Sequence, residues 1–525
     1  MARCLVVNVL LLLHLIQTSI AAPKEVTYSN PVIAGDYPDP SIIRVGRSYW
    51  ATATTSEWAP LFPLLHSNDL VNWSHLANVF AHSPTWSAGN YWAPEISEFE
   101  GRFYVYYVAR KKGGPLSIAV ATAPRPEGPY EDHGPLVGQD AGSIDPVTTT
   151  DENGKRYLLW KEDGNSRKQP TPIWAQELSG DGTRLTGEMK EIIRNDAPWE
   201  GSLVEGPFVV QRNGWFYLFY SGNACCGRGC NYALGVARSK KLLGPWEKNP
   251  ANPILAGNEK WKCPGHGSIV THLKGRNFLL YHAYHAQDFI SVGRQALLDE
   301  IQWETNAWPT INQGRGPSLQ APAPHGYASF NGEHFFFDDF KSANLLPQWH
   351  WPHANAPVAR LKSGALELMP NPDDSPQLVD AVLALRTTRG DYEATTLVDL
   401  QGMRADVTAG LAAYGDAQNA LGIAAGNGKL TLWRRRKDRL ETLAEEGLSS
   451  SAKLYLRMRA TTGRLFRFAT SIEGRTWNDV GPTLDIEGDF LPPWDRGVRV
   501  ALTAGGAENS PARFDWFRVD PVVKR

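Results

Sequence analysis

Three acidic residues stand in similar short contexts: Asp39 in PDPS, Asp145 in SIDP and Glu205 in VEGP, each followed by Pro or Gly. Carboxyl groups gathered at one point do proton chemistry. Cleavage of a glycosidic bond needs two of them: one protonated, to donate to the leaving oxygen, and one ionised, to activate water or attack carbon. A third carboxylate beside the acid disfavours its ionisation and raises its pKa toward the working pH. Three acids also serve in calcium sites, but carboxylates from separate segments, each followed by Pro or Gly, do not resemble a calcium loop.

Residues this far apart in sequence meet only if the fold gathers them, and the chain carries a repeat that does so. A glycine, one or two variable residues, an aromatic and an alternating apolar run recur as GRSYWATAT from Gly46, GRFYVYYV from Gly101, GKRYLLWK from Gly154, NGWFYLFYS around Gly214 and GRNFLLYHAY from Gly275. The glycines lie 55, 53, 60 and 61 residues apart. A second apolar stretch precedes each motif, so every unit reads as strand, tight turn, strand, with room for two more strands. Five such units predict a five-bladed β-propeller. The first strand of each blade lines the central channel, and the residues entering those strands are Asp39, Glu95, Asp145, Glu205 and His266, one per blade. Turn capping accounts for an acid at any one of these positions. It does not account for a titratable group at all five, because ionised groups around an axis repel and lose hydration.

The bulk composition fits an all-β soluble protein. Gly and Pro are abundant (48 and 37), and few stretches show helical periodicity. A net charge of −2 offers no attraction to polyanions, so nucleic acid is not an expected partner. Arg3, an apolar run from Leu5 to Ile16 and small residues at Ser19, Ala21 and Ala22 have the layout of a signal peptide over residues 1–21, which predicts export. The run is short for a membrane span, so no membrane association is expected after cleavage. Four cysteines then remain, Cys225, Cys226, Cys230 and Cys263, with three possible pairings. Two disulfides suit an exported chain better than a zinc site, whose usual spacing CC-x3-C does not match. The propeller is expected over 22–310, a polar and Pro/Gly-rich linker over 311–326, and a second region of alternating strands, a β-sandwich, over 327–525.

The stretches NPVIAGDYPDPSIIR, GSIDPVTTTDENGKRYLLW and VEGPFVVQRNGWFYLFYSG resemble the three signatures of glycoside hydrolase family 43, in order and on the repeat described above. The resemblance covers residues 29 to about 310 and implies an inverting glycosidase that needs no cofactor. It implies Asp39 as general base, Asp145 as the acid that tunes a pKa and orients, and Glu205 as general acid. It further implies that His266 and Arg294 reach the pocket, and that His282 holds a structural calcium or its water shell in the channel. Trp58 and Trp92, near the expected pocket edges, are candidates for stacking on a sugar, with core packing as the alternative for each. The start of the C-terminal region, FFFDDFKSANLLPQWHW, resembles the concanavalin-like (jelly-roll) sandwich that accompanies many family members. There Trp349 and Trp351 suit either sugar stacking or a core.

The substrate class implied is a plant cell-wall polysaccharide or oligosaccharide. GNYWAPEI and YLFYSGN favour release of α-L-arabinofuranose over the alternatives, β-xylosidase or endo-arabinanase, on the same scaffold. Fructan-active five-bladed enzymes differ in carrying WMNDPNG-like, RDP and EC motifs. A sugar-binding propeller without activity is the reading from another class, and the presence of all three acids speaks against it. Oligomeric state leaves no mark in the sequence.

Overall fold

A computed structural model describes residues 26–305, 307–325, 335–370, 378–448, 451–506 and 510–522. The expected signal peptide lies outside them. Five four-stranded antiparallel sheets follow one another along the chain, each in simple meander order except that blade 1 carries an extra short strand, Trp58–Ala59, between its second and third members. The innermost strands are Ser41–Val45, Trp92–Phe99, Ser143–Thr150, Val204–Arg212 and Trp261–Thr271. Each touches the next and the last touches the first, so the sheets close into a ring of five blades. Each repeat glycine occupies the turn between the first and second strands of its blade. All five have φ between 59° and 82°, the left-handed region that only glycine enters without cost. The aromatic-apolar runs that follow become the second strands, whose side chains Tyr107, Leu158, Leu218 and Leu279 are buried between blades.

The stretch read from its polarity as a linker, 311–326, is largely built into the propeller. Thr310–Ile311 completes blade 5, and Gln320–Pro322 pairs with the N-terminal strand Thr27–Ser29. Polar composition here reflects a strap on the surface whose backbone is paired at both ends. Asn30 locks the closure: its amide nitrogen donates to the Leu298 carbonyl at 3.0 Å and to Ser318 Oγ at 2.9 Å, and its oxygen accepts the Leu298 N–H at 2.9 Å.

Beyond the strap, two antiparallel sheets of nine and six strands face each other. Strand Lys453–Thr461 shows why they do: Leu454, Leu456, Met458 and Ala460 alternate inward, and the polar residues between them face out. Trp349 is 1% exposed in this core, with its Nε1 donating to Asp338 Oδ2 at 2.8 Å. Trp351 pairs with Ala59 of blade 1. Both therefore do structural work. No helix among the described residues is long and apolar enough to cross a membrane.

Asn30→Ala leaves the buried Leu298 and Ser318 groups without their partner, and is expected to lower unfolding free energy by about 1–3 kcal/mol. Urea unfolding at constant pH measures this, and an unchanged midpoint would remove Asn30 from the closure.

Candidate active site

The inner strands enter the channel through a common distortion. Residues with positive φ stand at Asp39 (52°), Ala93 (40°), Asp145 (57°), Gly206 (56°) and His266 (40°), each followed by Pro or Gly. In blades 2 to 5 the ladder register shifts at this point, as it does at a bulge. Such bulges turn a side chain out of the sheet, here toward the axis. The sequence reading of five equivalent titratable positions is thereby corrected. Asp39, Asp145 and His266 are equivalent, but Glu205 precedes its blade's left-handed residue by one position. Glu95 follows its own by two, level with Ser41. Glu95 lies deeper in the channel, where Ser41 Oγ donates to it at 2.6 Å and burial pushes its carboxyl up to about 8.

Asp39 is held at both oxygens and at its backbone. Arg294 Nη1 donates to Oδ1 at 3.0 Å and Thr54 Oγ1 donates to Oδ2 at 2.7 Å. The Thr54 hydroxyl in turn accepts the Ala93 N–H at 2.6 Å. Burial alone raises the Asp39 pKa, but the charges of Arg294 and His266 and the contact with His282 overcome it and hold the carboxyl well below the usual range. Asp39 is therefore ionised at any working pH.

Glu205 has different partners. Lys161 Nζ donates to Oε2 at 2.8 Å and Tyr232 Oη donates to Oε1 at 2.8 Å, while Lys161 also bonds Asp163 at 3.0 Å. Asp145 Oδ2 accepts the N–H of Gly206 at 2.9 Å, which fixes the backbone next to Glu205. His266 Nδ1 lies between the acids, 3.4 Å from Asp39 Oδ1 and 3.8 Å from Asp145 Oδ2. Burial raises the Asp145 pKa, His266 opposes it, and the charge of Glu205 adds to the rise, bringing it to about 6. Burial also raises Glu205, but Lys161 and Tyr232 outweigh it and hold it below the ordinary value. The two carboxyls interact and titrate as a pair, retaining one proton up to about pH 6.

His282 is fully buried and stacks on Tyr232, with ring centroids 5.7 Å apart. Its Nδ1 accepts the Asp39 N–H at 3.1 Å, and burial pushes its pKa down to about 4, so the ring is neutral. Among the described residues no group of three or more His, Cys, Asp or Glu side chains is arranged to hold a metal. With Nδ1 taken by the Asp39 N–H, Nε2 is the atom of His282 left to face an ion's water shell.

The sandwich reaches this site through residues 489–498. Asp495 gives its carbonyl to Arg294 Nη2 at 3.0 Å, and Gly497 donates its N–H to Asp36 Oδ2 at 3.1 Å. The Trp494 ring meets Trp92 edge-on with centroids 6.1 Å apart, and its backbone lies over Gly227. Gly227 belongs to the blade 4 loop that carries the Cys225–Cys226 disulfide and is tied to blade 5 by Cys230–Cys263. The segment thus meets blades 1, 2, 4 and 5. Trp92 lies half-buried against Trp494, whereas Trp58 does not reach this segment. It is 2% exposed between Tyr414 and Arg499 in the interdomain core, so no face is open to a sugar. Sequence reasoning missed Thr54, Lys161 and Tyr232, which come from the ends of second strands or from loops without a local motif.

The family model "Glycosyl hydrolases family 43" matches residues 28–309. The chain belongs to this family. Glycosidase activity follows from membership. A second model, "Beta xylosidase C-terminal Concanavalin A-like domain", matches residues 337–520. Xylosidase/arabinosidase 43B of Humicola insolens is 29% identical over 94% of this chain and 97% of its own length. The non-reducing end α-L-arabinofuranosidase BoGH43B of Bacteroides ovatus is 25% identical over 98% of both. Among solved structures, the family 43 protein BlXynB of Bacillus licheniformis superposes with a TM-score of 0.82 at 27% identity, covering 94% of this chain and all of that one.

Glu205→Ala is expected to lower kcat on unactivated substrates by about two to four powers of ten, with a smaller loss on nitrophenyl glycosides, whose leaving group needs no proton. Equal losses on both would remove Glu205 from the acid role.

The free-enzyme profile should also show the paired proton. The raised group is protonated below about pH 6, so kcat/KM should fall as pH rises through that value. Lys161→Gln removes the cation that favours ionisation and should move this falling limb upward by about one unit. A limb that stays in place would contradict the assignment.

Proposed function

We propose that the protein is an exported, inverting, exo-acting glycosidase that releases terminal pentose, α-L-arabinofuranose first, from plant cell-wall polysaccharide or its oligosaccharides. The observation that carries exo action is the sandwich segment at the channel mouth. Trp494 lies against Trp92 and over Gly227, and Asp495 and Gly497 bond Arg294 and Asp36, so the segment borders blades 1, 2, 4 and 5 beside the carboxylates, which favours a closed end over an open groove. A closed end admits one terminal residue. The Humicola and Bacteroides relatives match along nearly their whole length, and their names specify terminal arabinose or both pentoses.

In the proposed reaction Asp39, ionised and oriented by Arg294 and Thr54, takes a proton from water as it attacks the anomeric carbon. The proton retained by the Asp145–Glu205 pair goes to the departing oxygen through Glu205. Direct attack by water gives inversion. β-D-Xylose is the second reading, favoured by the match of the C-terminal region to a β-xylosidase accessory domain. The composition of residues 1–21 supports export.

Incubation with defined arabinan, arabinoxylan and xylan oligosaccharides should yield monosaccharide from the non-reducing end from the first time point. Internal fragments as first products would overturn exo action. Proton magnetic resonance of the first-formed sugar should show the anomer opposite to that of the substrate, and retention would overturn direct attack by water.

A further inference from the structure

Asp36 is buried three residues before the base and takes no part in the chemistry above. Its Oδ1 accepts the N–H of Arg294 at 3.1 Å and its Oδ2 accepts the N–H of Gly497 at 3.1 Å. Its carbonyl accepts Arg386 Nε of the sandwich at 2.8 Å. Gly293 must be glycine for this approach, because a Cβ there would lie 2.2 Å from Asp36 Oδ1. The next residue, Tyr37, donates its N–H to the Arg294 carbonyl at 2.8 Å, so both main-chain groups of Arg294 are fixed by residues 36 and 37. The Arg294 guanidinium, in turn, bridges Asp39 Oδ1 and the Asp495 carbonyl, both at 3.0 Å.

These bonds form a closed circuit: sandwich segment, Asp36, Arg294, and back to the sandwich through Asp495. Asp39 hangs from this circuit at the Arg294 guanidinium and faces the channel. We propose that Asp36 is a positioning residue through which the C-terminal sandwich sets the orientation of the base, so that the accessory domain is a working part of water activation. A carboxylate serves here because it accepts two backbone N–H groups at once, one from each domain. An amide has a single accepting oxygen and must turn an N–H₂ toward one of the two donors. Loss of either bond frees Arg294 to shift, and a misplacement of about 1 Å at a reacting group costs about a hundredfold in rate.

The proposal rests on Asp39 acting as the base, and its test uses whichever pentoside the wild type hydrolyses best, so that an error in the proposed substrate shows first in the wild type. In full-length protein, Asp36→Asn is expected to lower kcat about ten- to a hundredfold while KM changes less than about threefold. The loss should be the same for a nitrophenyl glycoside and an unactivated oligosaccharide, because activating water is required whatever leaves. Calorimetric titration with the product pentose should still count one site per chain. Three results would overturn the proposal: kcat within about twofold of wild type, a loss confined to the unactivated substrate, or a loss matched by the fraction of missing product sites. Should Asp36→Asn not fold, Arg386→Gln decides, since it removes the sandwich's hold on the Asp36 carbonyl and leaves the carboxylate in place. It should show the same leaving-group-independent loss to a smaller degree, and wild-type kcat would reject the idea.

Discussion

Carboxylates crowded around a dehydrated axis repel one another and lose solvation, and most of this active site is an answer to that cost. Arg294 is 4% exposed and lies against Asp39; Lys161 is 1% exposed and lies against Glu205. Each cation would itself be intolerable at such burial without its acid. Because the two acids have separate cations, their proton affinities are set separately. Asp39 gains a guanidinium, a threonine hydroxyl and a histidine on either side, and holds no proton. Glu205 shares its cation with Asp163 and stands near a third carboxyl, and that pair keeps a proton. Similar groups thus acquire opposite proton affinities from their neighbours alone.

The propeller supplies what this arrangement requires, which is independent control of each group. Every acid enters from a different blade, so the backbone bulge of one can place its side chain without constraint from another. The left-handed residues at the blade entrances are strained for anything but glycine. They persist because a proline or glycine follows and because the side chain has partners waiting: Arg294, Thr54 and His266 for Asp39, and the Gly206 N–H for Asp145. Glu95 shows the consequence of a different offset. Two residues beyond its bulge, it receives one serine hydroxyl and no cation, and its raised pKa follows from burial without compensation.

The blades were legible in the sequence because their signals are local: a glycine forced to positive φ between two alternating runs, five times over. The carboxylates were legible for the same reason, each marked by a following Pro or Gly, and the family resemblance then distinguished base from acid. The partners of those carboxylates were not. Lys161 sits in a second strand among Leu158, Leu159 and Trp160 and looks like a strand-end lysine until Glu205 of the next blade is brought against it. Tyr232 and Thr54 carry no motif. Trp58 and the 311–326 stretch misled for a related reason, since an aromatic residue in a Pro-containing loop and a polar run look the same at a surface as at an interface. Burial decides between those, and burial is a property of tertiary packing. The two disulfides were among three open pairings because cysteine spacing alone does not choose among them.

Beside the apolar cluster around Trp58, the interface between propeller and sandwich holds buried charges. Arg499 is 1% exposed, and its burial and the nearby Arg386 pull its pKa down to about 9, while Asp36 Oδ2 lies 3.8 Å away. His350 is buried beside Arg386, 2.9 Å from its Nη1, and burial and that charge hold the ring neutral. An apolar contact of the same area would hold two domains together with greater tolerance for sliding. Hydrogen bonds and buried charges tolerate little displacement before a group is left unpaired, so they fix relative position more sharply than they add stability. Such an interface suits two domains whose alignment reaches the active site through one loop. The Asp495 carbonyl and the Gly497 N–H end at Arg294 and Asp36, and a slip that an oily contact would absorb here would be passed through Arg294 to Asp39.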